Sequence, residues 1–355
     1  MSIKEFNDII RKTINEEKLP GANYVIVTKK KKHFGCLGHK ALVPFIEENS
    51  IDTIYDLASM SKVISTTSCA LKLVEKGQIR LFDSVQKYLP EFKHSSVRIY
   101  DLMTHTSGMR SYLAGAASMN NADEVWNKIC ELDLEYEKGT KIVYSCINYI
   151  ILGKLIERVS KLGLDEFAKE EIFIPLEMKD TCYNPQDIMR CAPTEERKDS
   201  VHNGILRGRV HDETAYALNG VSGNAGVFST VEDISHFIEM VLNDGVYKGK
   251  RIFSKATLDL IFTPQVKETH GVYINEEQRS IGWIVRGAAS SAGELTSEET
   301  ILHTGFTGTN IWIDRKNKIG FCLLSNRVHP TRENNPTISL RARLANYIMS
   351  HIEEY

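Results

Sequence analysis

Leu57-Ala58-Ser59-Met60-Ser61-Lys62 is the stretch on which the reading of this chain turns. It follows the strand-like Ile54-Tyr55-Asp56 and opens a run from Ser61 to Glu75. There Val63, Ile64, Thr67, Leu71 and Val74 recur on one helical side, and Gly77 supplies a stop. Residues three apart on a helix share a face, with Cβ atoms about 5–6 Å apart, so the Lys62 amine reaches the Ser59 hydroxyl. A seryl hydroxyl needs a neighbouring base before it attacks a carbonyl, and a lysine serves when burial or another cation lowers its pKa. A helix start also favours negative charge on the seryl oxygen and on the oxyanion formed next. The plain alternative is an N-capping serine followed by a surface lysine.

The same spacing occurs once more, at Ser84-Val85-Gln86-Lys87, where Tyr88, Leu89 and Pro90 follow at once and cut off any helix. That copy reads as a short exposed turn. Gly220-Val221-Ser222-Gly223-Asn224 misses the G-x-S-x-G pattern by one residue, and H-E-x-x-H, the P-loop and G-x-G-x-x-G are absent. Zinc-protease, nucleotide-phosphate and dinucleotide readings therefore lose their main support.

Outward from these tetrads, 355 residues with 42% apolar and 25% charged side chains suffice for one large core or two packed lobes. A net charge of −2 without a basic stripe gives no reason to expect nucleic acid as a partner; Lys29 to Lys32 reads as a solvated hairpin turn. The seven cysteines are scattered, with no C-x-x-C pair or Cys/His metal spacing, so free thiols and neither metal nor cofactor are expected. No apolar run approaches 18 residues, and the opening 21 residues read as an amphipathic helix from a Ser2/Glu5 cap to Pro20-Gly21, without a signal-peptide core. A cytoplasmic monomer without membrane contact is the expectation.

The residues from Ala22 to Leu42 read as two strands around the lysine turn. Segments 279–287, 300–305, 309–315 and 318–326 read as consecutive strands, and a helix follows Pro336 with Ile338, Ala342, Ala345, Ile348 and Ile352 on its face. Between them helical periodicity prevails, as in Ile147 to Val159 and Val231 to Leu242. An α+β fold follows: an antiparallel sheet built from both chain ends and flanked by terminal helices, with a mostly helical lobe inserted. The expected division is residues 1–70 with 275–355 for the sheet lobe and 71–274 for the helical lobe, the active site between them.

Six ordered segments carry a family resemblance. LASMSK (57–62) resembles the nucleophile motif of class C β-lactamases, DD-peptidases and related esterases and D-amino-acid peptidases. LFDSVQKYLPEF (81–92), RIYDLMTHTSGM (98–109), YSCINYIILGKLIE (144–157), GNAGVFSTVEDISHF (223–237) and HTGFTGTNIWID (303–314) are similar to successive family segments. The resemblance implies a β-lactamase/DD-peptidase-like fold and a serine hydrolase that forms an acyl-enzyme on an ester, amide or D-amino-acid peptide bond. It implies Ser59 as nucleophile, Lys62 and Tyr144 sharing the proton work in an undecided division, and His303 as the fourth catalytic group. Backbone N–H groups of Ser59 and Phe306 would form the oxyanion hole. Cys146, Thr304 and Gly305 would contact substrate, Gly305 by letting it approach the strand edge. Small molecules or short peptides are the implied substrates, β-lactams the implied acylating ligands.

Two positions depart from the family. Cys146 stands where the Y-x-N motif has asparagine, and a thiol is a poorer hydrogen-bonding group than an amide. This argues against efficient β-lactam hydrolysis and leaves a weak β-lactamase or DD-peptidase, or a non-catalytic binding module on the same fold, as the competing readings. Asn148, on the same helical turn, is expected to point elsewhere. His303 replaces the lysine common in class C enzymes, which leads to an expected pH dependence near neutrality and leaves Arg286 as candidate for a permanent cation, a surface position being its alternative.

Overall fold

The computed structural model describes residues 2–119, 121–199, 201–270, 273–287 and 290–354. Its centre is strand β1 (Gly21–Thr28), buried along nearly its whole length. In β1, Tyr24 and Ile26 face one way and Val25 and Val27 the other, as the two-residue repeat of a strand requires, and both sets are apolar. This strand therefore has to lie inside a sheet covered on both faces. The sheet is antiparallel throughout and nine-stranded. From one edge its order is β4 (Val266–His270), β5 (Tyr273–Arg279), β6 (Ile284–Val285), β7 (Thr300–Thr304), β8 (Asn310–Asp314), β9 (Ile319–Ser325), β1, β2 (Lys32–Ala41) and β3 (Glu47–Glu48). Strand β1 pairs with β9 from Ala22↔Ser325 to Thr28↔Ile319, so the two ends of the chain share the middle of one sheet.

One face is covered by the terminal helices α1 (Ile3–Glu17) and α5 (Thr337–Ser350). Phe6, Ile10, Tyr24, Trp312, Phe321, Leu344 and Ile348 form that core. On the other face Val25, Val27, Ile311, Ile313, Cys322 and Leu324 pack on the helical part, whose core is larger and continuous. Helix α4 (Val231–Leu242) lies there, as do α3 (Cys146–Ser160) and the helix that follows Ser59. That last helix begins with a wide π turn, Lys62–Thr67, and becomes regular α2 at Ser68–Glu75.

The sheet departs from expectation at its far edge. Strands β4 and β5 lie partly before residue 275, within the stretch read as helical, and the expected lobe boundary falls inside β5. Segment 279–287 is broken: Arg279 ends β5 and only Ile284–Val285 resumes as strand, because Ser280 N–H turns back to Trp283 O at 3.0 Å. Gly282 at the tip has φ +85°, and a Cβ there would lie 2.3 Å from Thr67 Oγ1, so the turn presses directly on the helix after Ser59. Among the described residues no helix is long and apolar enough to cross a membrane.

Candidate active site

The tetrad starts in a 3₁₀ turn, Ala58–Met60, suspended from the short strand Tyr55–Asp56, which pairs with Val227–Ser229. Ala58 is held at φ +47°, a left-handed conformation that a residue with a Cβ adopts only when its surroundings impose it. The buried Asp56 carboxylate imposes it: one oxygen accepts Ala58 N–H and the other His211 N–H, each at 2.8 Å. The chain then turns so that Lys62 Nζ donates to Ser59 Oγ at 3.1 Å.

Lys62 is fully buried, and a buried ammonium requires partners. Besides Ser59 it donates to Asn224 O at 2.8 Å and contacts Cys146 Sγ at 3.5 Å. The loop carrying Asn224 is squeezed between two helices. Thr66 Oγ1 donates to Gly223 O at 2.7 Å, and a Cβ on Gly223 would lie 1.9 Å from Tyr149 O. Asn224 escaped the sequence reading because its main-chain oxygen does the binding. Its side-chain Oδ1 accepts from Ser222 at 2.7 Å, while its Nδ2, buried beside Cys146, has no hydrogen-bond partner among the described residues.

Tyr144 precedes helix α3 and is set by the 105–111 loop. His105 Nδ1 accepts Ser145 N–H at 3.0 Å, Ser145 Oγ donates to Arg110 O, and Cys146 N–H reaches Ser111 O at 2.7 Å. Lys62 Nζ lies 5.0 Å from the centre of the Tyr144 ring. The phenol is buried within reach of Lys62 and Ser59 but completes no hydrogen bond among the described residues. Asn148 turns to Ser107, whose Oγ donates to it at 2.6 Å, and to His105.

Burial opposes charge on Lys62, yet the facing Cys146 thiol and Tyr144 phenol outweigh it and hold the amine above its ordinary pKa. The lowered lysine pKa expected of a free-standing base is therefore not what this site provides. Burial pushes the Tyr144 phenol and the Cys146 thiol up as well, against the pull of Lys62. The resting cluster is one ammonium among neutral groups.

His303 closes the opposite side, its ring centre 6.1 Å from that of Tyr144. Burial, then the charges of Lys62 and Arg279, bring its pKa down to about 3. Its Nδ1 faces Thr304 O at 2.9 Å and so carries the proton, leaving Nε2 as an acceptor. The expected response of His303 near neutral pH is thus corrected: it is a neutral imidazole and no cation. Arg286 donates Nη2 to Glu294 O at 2.6 Å and does not line the cavity that opens beside Thr304. Arg279, at the end of β5, is buried with its guanidinium 5.4 Å from the Tyr144 ring.

The end of β7 sits against the Ser59 turn. A Cβ on Gly305 would lie 2.4 Å from Leu57 O and 2.0 Å from Thr309 Oγ1. Gly305 is therefore required by the contact of strand with turn. Among the described residues no backbone acceptor takes the N–H of Phe306 or of Ser59. The half-exposed Phe306 ring stacks on His211 at 5.5 Å, with Arg327 4.4 Å from its centre.

Beside Thr304 opens a cavity of about 520 Å³, lined among others by Arg279, Glu277, Ser291 and Arg341. Arg279 Nε is paired with Glu277 at 2.6 Å, but its Nη1 and Arg341 Nε are buried without partners among the described residues. Burial pulls Arg341 down to about 10, which leaves it cationic at neutral pH. A cavity of about 740 Å³ in the helical part, lined by Asp165, Phe173 and Cys182, contains none of these groups. No cluster of three or more His, Cys, Asp or Glu among the described residues could hold a metal ion.

Comparison with known proteins agrees with this geometry. The Beta-lactamase family model matches residues 6–346. The chain is 32% identical over 323 residues to the N-acetylmuramyl-L-alanine amidase of Bacillus subtilis (strain 168), covering 81% of this chain and 71% of that protein. It is 33% identical over 310 residues to a putative D-alanyl-D-alanine carboxypeptidase of Escherichia coli (strain K12), covering 78% and 70%. In fold it is similar to EstCE1, a hydrolase with promiscuous acyltransferase activity (TM-score 0.79, 18% identity, 97% and 98% covered). It is also similar to the β-lactamase/D-alanine carboxypeptidase from Pseudomonas syringae (TM-score 0.77, 19% identity, 98% of each chain). With the family match spanning nearly all of its sequence and Ser59 hydrogen-bonded to the buried Lys62 at the junction of sheet and helices, the chain belongs to the Beta-lactamase family and is a serine hydrolase of that family.

Proposed function

We propose that this hydrolase acts through Ser59 on short peptides or amides that carry a free carboxylate near the scissile bond. The observation that carries this reading is the cavity beside Thr304. Arg341 is a buried cation with no carboxylate partner among the described residues, Arg279 leaves Nη1 without a partner, and both line the cavity beside Thr304, one residue before the Gly305 that packs against Leu57 O. Buried donors left unpaired are costly, and a carboxylate satisfies two at once. The names of the carboxypeptidase relatives support the same class of substrate.

In the proposed cycle the carbonyl oxygen rests on the N–H groups of Ser59 and Phe306, and Ser59 Oγ attacks the carbonyl carbon. The seryl proton passes into the Lys62–Tyr144 pair, which is active in the fraction that has lost one proton. The same pair returns that proton to the leaving amine or alkoxide as the C–N or C–O bond breaks. Water, losing its proton to the pair, then displaces Ser59 from the acyl ester, and the pair returns that proton to Ser59 Oγ as the C–O bond breaks. His303, neutral, offers Nε2 as acceptor towards substrate or Tyr144. Cys146 cannot supply the two N–H donors of an amide, so β-lactams acylate Ser59 in this reading but are turned over slowly.

The test is intact-mass spectrometry with labelled penicillin or a fluorophosphonate, beside a kinetic panel of paired peptides ending in a carboxylate or a carboxamide. One adduct per chain is expected, lost in Ser59→Ala. In Arg279→Gln, kcat/KM should fall at least about tenfold for the carboxylate and less than about twofold for the carboxamide. An adduct that survives Ser59→Ala overturns the role of Ser59, and equal losses for both peptides overturn the role of the cavity.

A further inference from the structure

The two N–H groups that face an oxyanion come from segments far apart in sequence, Ser59 on its turn and Phe306 after β7. Misplacing such donors by about 1 Å costs on the order of 100-fold in rate. Among the described residues no backbone–backbone hydrogen bond joins residues 56–60 to residues 303–309. The bonds that do join them are two buried threonine hydroxyls. Thr307 Oγ1 donates to Asp56 O at 2.7 Å, and Thr309 Oγ1 donates to Leu57 O at 3.0 Å. Both accepting carbonyls belong to the residues immediately before the strained Ala58.

Each threonine is itself fixed from behind. Arg327 N–H reaches Thr307 O at 2.8 Å, Arg327 Nε reaches Phe306 O at 2.7 Å, and Arg341 Nη2 bridges Gly305 O and Thr309 O at 3.0 and 2.9 Å. With Gly305 lying against Leu57 O there is no side-chain volume to hold the segments apart, so their separation is set by the length of the two O–H···O bonds. Resting on the acyl-enzyme reading above, we propose that Thr307 and Thr309 are positioning residues: their hydroxyls clamp the Ser59 turn to the Phe306 segment and thereby set the width of the oxyanion pocket. Neither touches the substrate.

The experiment compares Thr309→Val, which keeps the volume and removes the donor, with Thr309→Ser, which restores the donor, and repeats the pair at Thr307. With p-nitrophenyl butyrate, kcat for Thr309→Val should fall about 10- to 100-fold with KM changed less than about threefold, and Thr309→Ser should recover most of it. Affinity for an arylboronic acid, which forms a tetrahedral adduct on Ser59, should fall in parallel. The carbonyl stretch of the trapped acyl-enzyme should move to higher frequency in the valine variant, because weaker hydrogen bonding polarises it less. Thr309→Ala, which places no methyl against Leu57 O, carries the same test should the valine variant fail to fold. Unchanged kcat, boronate affinity and carbonyl frequency in a folded, donor-less variant would overturn the clamp. Wild-type protein that forms no adduct on Ser59 would instead overturn the acyl-enzyme reading.

Discussion

Two copies of one tetrad, Ser59-Met60-Ser61-Lys62 and Ser84-Val85-Gln86-Lys87, have become opposite things. In both, a 3₁₀ turn holds the serine, Ser59 inside the turn Ala58–Met60 and Ser84 as the cap of Val85–Lys87. Lys62 is wholly buried and its amine meets Ser59, Asn224 O and Cys146. Lys87 is more than half exposed and pairs with Asp83 at 2.9 Å, while Ser84 donates to Ser95 O and caps its own turn. The spacing places an amine near a hydroxyl. Reactivity depends on what removes water and which carbonyls then hold the amine in place, and those come from residues 146 and 223–224, far along the chain.

The sharpest way to break this contrast is a matched pair of substitutions. Lys62→Met should cost at least about 10³-fold in kcat/KM, whereas Lys87→Met should leave it unchanged; equal effects would mean that burial of Lys62 is structural only. Next in size is the pH profile. The working form of the Lys62–Tyr144 pair has lost a proton, and both groups are held above their ordinary values, so that form grows as pH rises. Between pH 6 and 9, kcat/KM should climb about tenfold per unit without a plateau. His303, with its pKa near 3, contributes no limb between pH 5 and 7, and a limb there would assign proton work to a histidine. Cys146→Asn replaces the thiol by an amide, and turnover of amide substrates should rise several-fold relative to esters; an equal change in both would show that residue 146 acts only through Lys62. The smallest effect belongs to the exposed copy: Ser84→Ala removes a cap and should lower stability by about 1 kcal/mol in thermal unfolding, with activity intact.

Much of this was legible because it depends on pattern. The alternation in Tyr24-Val25-Ile26-Val27 and the apolar run Ile319–Ser325 announce buried central strands, and a serine three residues before a lysine at a helix start announces their contact. What stayed hidden depends on surroundings. Strands β4 and β5 carry Lys267, Glu268, Glu276, Glu277 and Gln278, with too few apolar residues to show a sheet face, so Arg279 had no visible place. The lysine partner at Asn224 is a carbonyl, which every residue possesses. The neutrality of His303 comes from burial beside two cations, and the strain at Ala58 comes from a carboxylate two positions earlier that any solvated turn could equally have used.

The pairing of Ala22 with Ser325 has a consequence for how the molecule comes into being. A ribosome has long released Ser59, Lys62 and Tyr144 when His303 and Phe306 are still being polymerised, and β1 cannot be enclosed until β9 arrives. The nascent polypeptide thus holds the Ser59–Lys62 pair before the Phe306 segment that packs beside it exists, and the site is complete only with the last strands of the chain.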